Sequence, residues 1–162
     1  MNVSTLQDPA ERTYYRLFYR NWRPTRVGRW VNRLLGWYSG LGLPPKFQAV
    51  LEVRGRTSGH IRSNPVVITT VDGNSYLVSM LGPKSDWVKN VRAADGNAVL
   101  RHGRRKRVHL VPVPPEQRAP VLREYVRIAP GGRMHFPLPV GAPIAEFEKI
   151  ADAYPVYRID AA

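Results

Sequence analysis

Two periods of apolar residues alternate along this chain, and the switches between them mark its elements. Ala49-Val50-Leu51-Glu52-Val53 and Pro65-Val66-Val67-Ile68-Thr69-Thr70 are short β-branched runs with the character of strands. The connector between them, Arg54 to Asn64, is rich in Gly, Ser and Arg, and the whole reads as a hairpin. Asp72-Gly73 predicts a tight turn into another strand, Tyr76 to Met80. Ser85 is placed to cap a helix in which Trp87, Asn90 and Val91 share a face. Asn97 to Leu100 and Arg105 to Val113 predict a further strand pair across His102-Gly103-Arg104. Pro114-Pro115-Glu116 opens a helix with Val121, Leu122, Tyr125 and Ile128 on its apolar side, and Ala129-Pro130-Gly131-Gly132 is expected to stop it. After a proline-restricted loop, Arg133 to Pro139, a short helix around Ile144 to Ala151 and a strand, Val156 to Ile159, end the pattern.

The first 44 residues differ. Residues 1–10 are polar and read as a disordered leader. From Glu11 to Tyr38 the pattern is helical and basic. Tyr14, Leu17, Phe18 and Trp22 face one way, and Arg12, Arg16, Arg20 and Arg23 occupy the other positions. Pro24 separates this segment from a second one, capped by Thr25, whose stripe is Val27, Trp30, Val31, Leu34, Leu35 and Tyr38. Gly36 to Pro45 ends the helical region. The stripe could pack on a sheet or lie in an anionic membrane interface. The remainder, from about residue 45, predicts five or six antiparallel strands with short flanking helices, an α+β fold or small barrel.

Charge narrows the partners. The chain carries 25 Lys and Arg against 12 Asp and Glu, a net charge of +13 in 162 residues, which favours anionic ligands or surfaces. No cysteine is present, so disulfides, thiolate metal sites and a cysteine nucleophile are excluded. The start lacks an apolar signal core, and no run of about 18 apolar residues occurs, so a cytoplasmic or peripheral location is expected. His60, His102, His109 and His135 are scattered without metal-ligand spacing, and no metal is expected. The absence of G-x-S-x-G, P-loop and G-x-G-x-x-G patterns argues against serine hydrolases, P-loop NTPases and Rossmann dehydrogenases. An enzyme built on this chain would borrow its chemistry from a cofactor.

The candidate chemistry concentrates in the connector. Arg54, Arg56 and Arg62 offer guanidinium forks, Thr57, Ser58 and Ser63 offer hydroxyls, and Asn64 offers an amide. Gly55 and Gly59 are expected to reach positive φ and bring backbone N–H groups close to a ligand. This set suits a phosphate or carboxylate, although a solvated basic hairpin tip would look the same. Trp87 could wall an aromatic ligand beside Asn90, or simply close one end of the core. Five of the seven residues from Arg101 to Arg107 are basic. Alternation would send Arg105, Arg107 and His109 to one face, as a solvated edge or facing an anionic tail. A basic nucleic-acid-binding module is the alternative of a different class. It lacks a recognised motif and any interleaved stacking aromatics, so no nucleic-acid partner is expected.

The run from Gly55 to Pro65 resembles the G-R-x-[ST]-G-x-x-R-x-[NT]-P signature of the deazaflavin-dependent nitroreductase family, whose members use reduced coenzyme F420. The Asp72-Gly73 turn and the Trp87-x-x-Asn90 pair follow in that family's order and approximate spacing, and the similarity spans about residues 45 to 113. It implies a split β-barrel of the flavin-binding type over residues 45–162, behind a basic amphipathic segment, 11–44. By this resemblance Arg56, Thr57, Ser58, Arg62 and Asn64 would hold the cofactor's phosphate and acidic tail, with His60 and Ser63 in the same stretch. Pro65, Val66 and Val67 would border the ring system. Ser79, Met80, Leu81 and Gly82, and then Asp86, Trp87, Val88, Lys89 and Asn90, match further cofactor-contacting stretches. Thr57 stands where many relatives carry lysine. The tyrosine-rich substrate region of the nitroreductase member is replaced by Ile128 to Arg133, so the expected acceptor is a quinone, enone, unsaturated lipid or other conjugated hydrophobic molecule. The reaction implied is hydride transfer, with the proton coming from water, Tyr76, Tyr125 or His135. A basic N-terminal helix could bring such an enzyme to the cytoplasmic face of a membrane. A split barrel binding flavin mononucleotide or haem is the nearest alternative, and a monomer or homodimer is expected.

Overall fold

The computed structural model describes residues 19–20, 23–24 and 47–162. It begins with a two-residue ribbon, β1 (Tyr19–Arg20) against β2 (Arg23–Pro24), where the periodicity predicts helix. Pro24 supplies a physical reason: it lacks an N–H and biases Arg23 away from the helical region. The leader, the helix capped by Thr25 and the Gly/Pro stretch lie outside the described residues.

The following elements are β3 (Gln48–Arg54), β4 (Ile61–Val71), β5 (Asn74–Val78), α1 (Asp86–Ala93), β6 (Asn97–His102) and β7 (Arg104–Pro112). A single-turn 3₁₀ helix at Pro115–Gln117 leads to α2 (Ala119–Ile128), α3 (Pro130–Arg133) and α4 (Ile144–Ile150). A second 3₁₀ turn, Ala151–Ala153, precedes β8 (Val156–Ala161). Six strands close a barrel in the order β3-β4-β5-β8-β7-β6, every pair antiparallel, with β6 returning to β3. This is the α+β split barrel the sequence implies. Asp72 (φ +48°) and Gly73 (φ +77°) make the β4–β5 turn with two left-handed residues, as an Asp-Gly hairpin requires. Gly103 (φ +69°) alone separates His102 from Arg104, which face each other across the β6–β7 pair.

Two cores share β4 as a wall. Inside the barrel, Ala49, Leu51, Val53, Leu77, Leu100, Val108, Leu110 and Tyr157 pack with Val88 and Val91, so α1 plugs one mouth. Outside, Val121, Leu122, Tyr125, Val126, Phe136, Phe147, Tyr154 and Val156 form a second cluster. Val66 and Ile68 of β4 lie against the first, Val67 and Val71 against the second, which is the alternation a doubly covered strand demands. Each large side chain buried this way contributes about 1.5–3 kcal/mol.

Two local expectations are corrected. Arg62, Ser63 and Asn64 belong to β4 rather than to the connector, because strand pairing continues to Arg54↔Ile61 and polar side chains do not interrupt a backbone ladder. Only Gly55 to His60 remain as loop. The Ala129–Gly132 stretch breaks α2 but does not end helical structure. Pro130 starts the extra turn α3, and Gly132 lets that turn lie on Tyr125, where a Cβ would collide with the phenol oxygen. Among the described residues no helix is long and apolar enough to cross a membrane.

Candidate functional site

The loop Gly55–His60 is held by its own backbone: Gly55 N–H donates to His60 O (2.8 Å) and Gly59 N–H to Gly55 O (2.9 Å). Gly59 has the expected positive φ, +70°, but Gly55 does not. Space is what requires Gly55, since a Cβ there would stand 3.0 Å from His60 O and 3.2 Å from Ser58 Oγ. Arg54, Arg56, Thr57, Ser58 and His60 are all exposed, as is Arg62 on the adjoining strand. Arg62 Nη2 donates to Ser58 Oγ (3.3 Å), which leaves the rest of its fork directed to solvent.

Arg56 is differently engaged. Its backbone N–H and its Nη1 both donate to Asn90 Oδ1 (3.2 and 2.9 Å), Nη1 also reaches Asp86 O (3.5 Å), and Nη2 pairs with Asp86 Oδ1 (3.1 Å). The signature loop and the Trp-x-x-Asn helix, separate in sequence, are therefore one hydrogen-bonded unit. Asn90 is 5% exposed and sits at its centre.

β4 divides the other candidates between its faces. Arg62 and Asn64 stand opposite Val53 and Leu51 and share the inward row with Val66, whereas Ser63, Pro65 and Val67 occupy the outward row. Asn64 Nδ2 is buried without a hydrogen-bond partner, a donor available to an acceptor-bearing ligand. At the start of α1, Ser85 takes the N-cap position, but its hydroxyl makes no capping bond and is buried unpaired. Trp87 is half-buried and packs on Tyr157, ring centroids 5.7 Å apart, at the end of the interior core. Val88 is fully enclosed in that core, and Lys89 is half-buried on the same helix. Ser79 is 1% exposed and donates to Gly82 O (2.8 Å). Gly82 (φ +73°) turns the chain toward α1, Leu81 is half-buried, and Met80 lies against the outer cluster.

The three proton-donor candidates converge on that outer cluster. Tyr125 directs its hydroxyl to Met80 Sδ (3.5 Å), and Tyr76 is half-buried against the same group. His135 is 1% exposed, and burial pushes its pKa down to about 4, so it is uncharged at neutral pH. Its carbonyl accepts from the Tyr154 hydroxyl (2.8 Å), whose own pKa burial raises to about 12.

The basic β6–β7 hairpin stands at the other end of β3 from the loop, since Arg101 pairs with Val50 while Ile61 pairs with Arg54. Arg104, Arg105, Lys106 and Arg107 are all exposed, and Arg105, Arg107 and His109 share the outward row as alternation predicts, since Val108 and Leu110 face the barrel core. Lys106 lies in the inward row opposite Leu100 near the turn of the hairpin, where it is exposed. Glu52 takes both Arg101 Nε (3.0 Å) and Arg105 Nη2 (2.6 Å). The only signal for this counterion was a lone acid inside a β-branched run. Among the described residues no three His, Asp or Glu side chains gather as metal ligands. A shallow depression of about 240 Å³ between α1 and β7, lined by Arg92, Asp95 and His109 among others, contains none of the candidates.

A closed six-stranded antiparallel barrel, plugged by a helix and carrying a cationic loop at the plugged mouth, defines a split-barrel protein. Residues 25–135 match the model of the F420H(2)-dependent quinone reductase family, and the chain belongs to that family. It is accordingly an enzyme that uses the reduced deazaflavin coenzyme F420. Among solved structures it is similar to an F420-H2 dependent reductase, FDR-A, at 18% identity and TM-score 0.48, covering 71% of this chain and 95% of that one. It is similar in fold to a putative 5-nitroimidazole antibiotic resistance protein from Bacteroides thetaiotaomicron, at 10% identity and TM-score 0.50, covering 70% and 72%. A domain-swapped dimer shares the fold at 18% identity and TM-score 0.50, covering 83% and 96%. No curated protein matches the chain.

Proposed function

We propose that this enzyme transfers a hydride from F420H2 to a quinone or another conjugated hydrophobic acceptor, and that the loop after β3 with the start of β4 holds the coenzyme's phosphate and acidic tail. One observation carries the assignment: exposed Arg54, Ser58, His60 and Arg62 gather at one mouth beside an unpaired buried donor, Asn64 Nδ2. That donor set fits a polyanion, because guanidinium forks and hydroxyls make charge-assisted bonds to phosphate and carboxylate oxygens. Bound there, reduced F420 would supply the hydride. The chain's part is to fix donor and acceptor in near-attack geometry, which is worth several kcal/mol of the barrier. Beyond Ser63, the outward row of β4, Pro65 and Val67, runs from the loop toward Tyr76 and Met80 and is the path we assign to the ring. Of the three proton donors, Tyr76 is favoured because it is half-buried, whereas Tyr125 and His135 are 3% and 1% exposed. The basic segment before residue 45 is read as a peripheral contact with an anionic membrane, where hydrophobic acceptors dissolve, on the strength of its charge.

The test is titration of the protein with F420, followed by a screen of quinones, enones and nitroaromatics for oxidation of F420H2. Arg62→Ala should weaken coenzyme binding by about 1–3 kcal/mol, the loss expected for a charged hydrogen bond. Unchanged affinity in that variant would remove the tail from this loop. Tight binding with no acceptor reduced would point to a carrier of the coenzyme.

A further inference from the structure

The structure assigns Arg56 the role of a latch that positions α1, rather than that of a ligand to the coenzyme's anionic tail. This rests on the functional reading above and deepens it. Three of the five N–H groups of a guanidinium are directed at α1: one to Asn90 Oδ1, one to Asp86 O and one to Asp86 Oδ1. The backbone N–H of the same residue makes a second bond to Asn90 Oδ1. A residue recruited for a free anion would leave its fork open, as Arg62 does with one bond to Ser58.

The helix held in this way is the barrel's plug. Val88 and Val91 of α1 are 0% and 1% exposed inside the barrel, and Trp87 packs on Tyr157 of β8. Between the loop and this helix, Arg56 makes every side-chain bond recorded among the described residues. Two donors on Asn90 Oδ1 also settle the orientation of that amide. Its NH₂ is the group left to face a ligand, so Asn90 meets the coenzyme as a donor. Removing Arg56 would release the amide and loosen the helix together, whereas losing a tail ligand would do neither.

The two roles separate in a double-mutant cycle on the full chain with Arg56→Gln, Asn90→Ala and the pair, read by F420 titration and by amide hydrogen exchange of residues 86–93 without coenzyme. The latch predicts that each single variant weakens F420 binding by about tenfold or more and that the pair is no worse than Asn90→Ala alone, which already lacks both the latch and the amide donor. It also predicts faster exchange in α1 before any coenzyme is added. Arg56→Lys should behave like Arg56→Gln, because an ammonium keeps the charge but cannot fork between Asn90 and Asp86. Should Asn90→Ala fail to fold, Asp86→Asn, at an exposed position, replaces it in the cycle.

Multiplicative losses in the pair, unchanged exchange in α1, or near-normal binding by Arg56→Lys would each overturn the latch and return Arg56 to the tail. Wild-type protein that does not bind F420 would instead sink the functional reading, and the exchange result would still decide whether Arg56 holds the helix.

Discussion

His135 ties acid stability to one buried ring. Its pKa lies at about 4, below the ordinary 6.5, because the imidazole is buried away from water. Between these values the unfolded chain takes up a proton that the folded chain refuses, so folding stability is complete above pH 6.5 and is lost as pH falls toward 4. At 1.36 kcal/mol per unit the difference corresponds to about 3 kcal/mol. That is a large share of the 5–15 kcal/mol typical of a domain. His135→Gln removes the titration while keeping polar atoms in place. Urea unfolding followed at several pH values between 7.5 and 4 should show the wild type losing about 3 kcal/mol more than the variant across this window. Parallel curves for the two proteins would refute the reasoning. Carboxylates such as Glu124 and Asp160, whose pKa values are lowered by Arg127 and Arg158, contribute equally to both proteins and cancel. The same burial makes His135 a poor proton source during turnover.

Tyr76→Phe should lower kcat by about 10²-fold or more if its hydroxyl delivers the proton, with coenzyme affinity unchanged, and a turnover equal to wild type would leave the task to water. Gly132→Ala should cost about 1–3 kcal/mol in thermal or urea unfolding, because the new methyl displaces the Tyr125 ring, and wild-type stability would show that the α3 turn can shift freely.

The barrel strands were legible because β-branched runs between Gly, Asp and Asn leave little choice, and the Asp72-Gly73 turn has a backbone demand that few other dipeptides meet. What could not be read was which side of β4 each candidate takes. Arg62 and Asn64 separate from Ser63 and Pro65 by alternation alone, and the phase of that alternation depended on where β3 pairs. Arg56 and Asn90 were each legible as candidates from their residue chemistry and from the resemblance. Their mutual hydrogen bonds were invisible, because a contact across 34 positions leaves no local pattern. The glycine at position 55 was given the wrong reason: crowding by His60 and Ser58, not positive φ, excludes a side chain.

β4 separates the two cores, and its odd- and even-numbered residues serve different compartments. Insertion or deletion of one residue within Val66–Val71 would exchange the occupants of both at once, driving Thr69 and Val67 into the barrel and Val66 and Ile68 out under the helices. Length variation in this region is therefore tolerable only in the six-residue bend before the strand, so the reach of this basic tip can change between relatives while the wall behind it cannot.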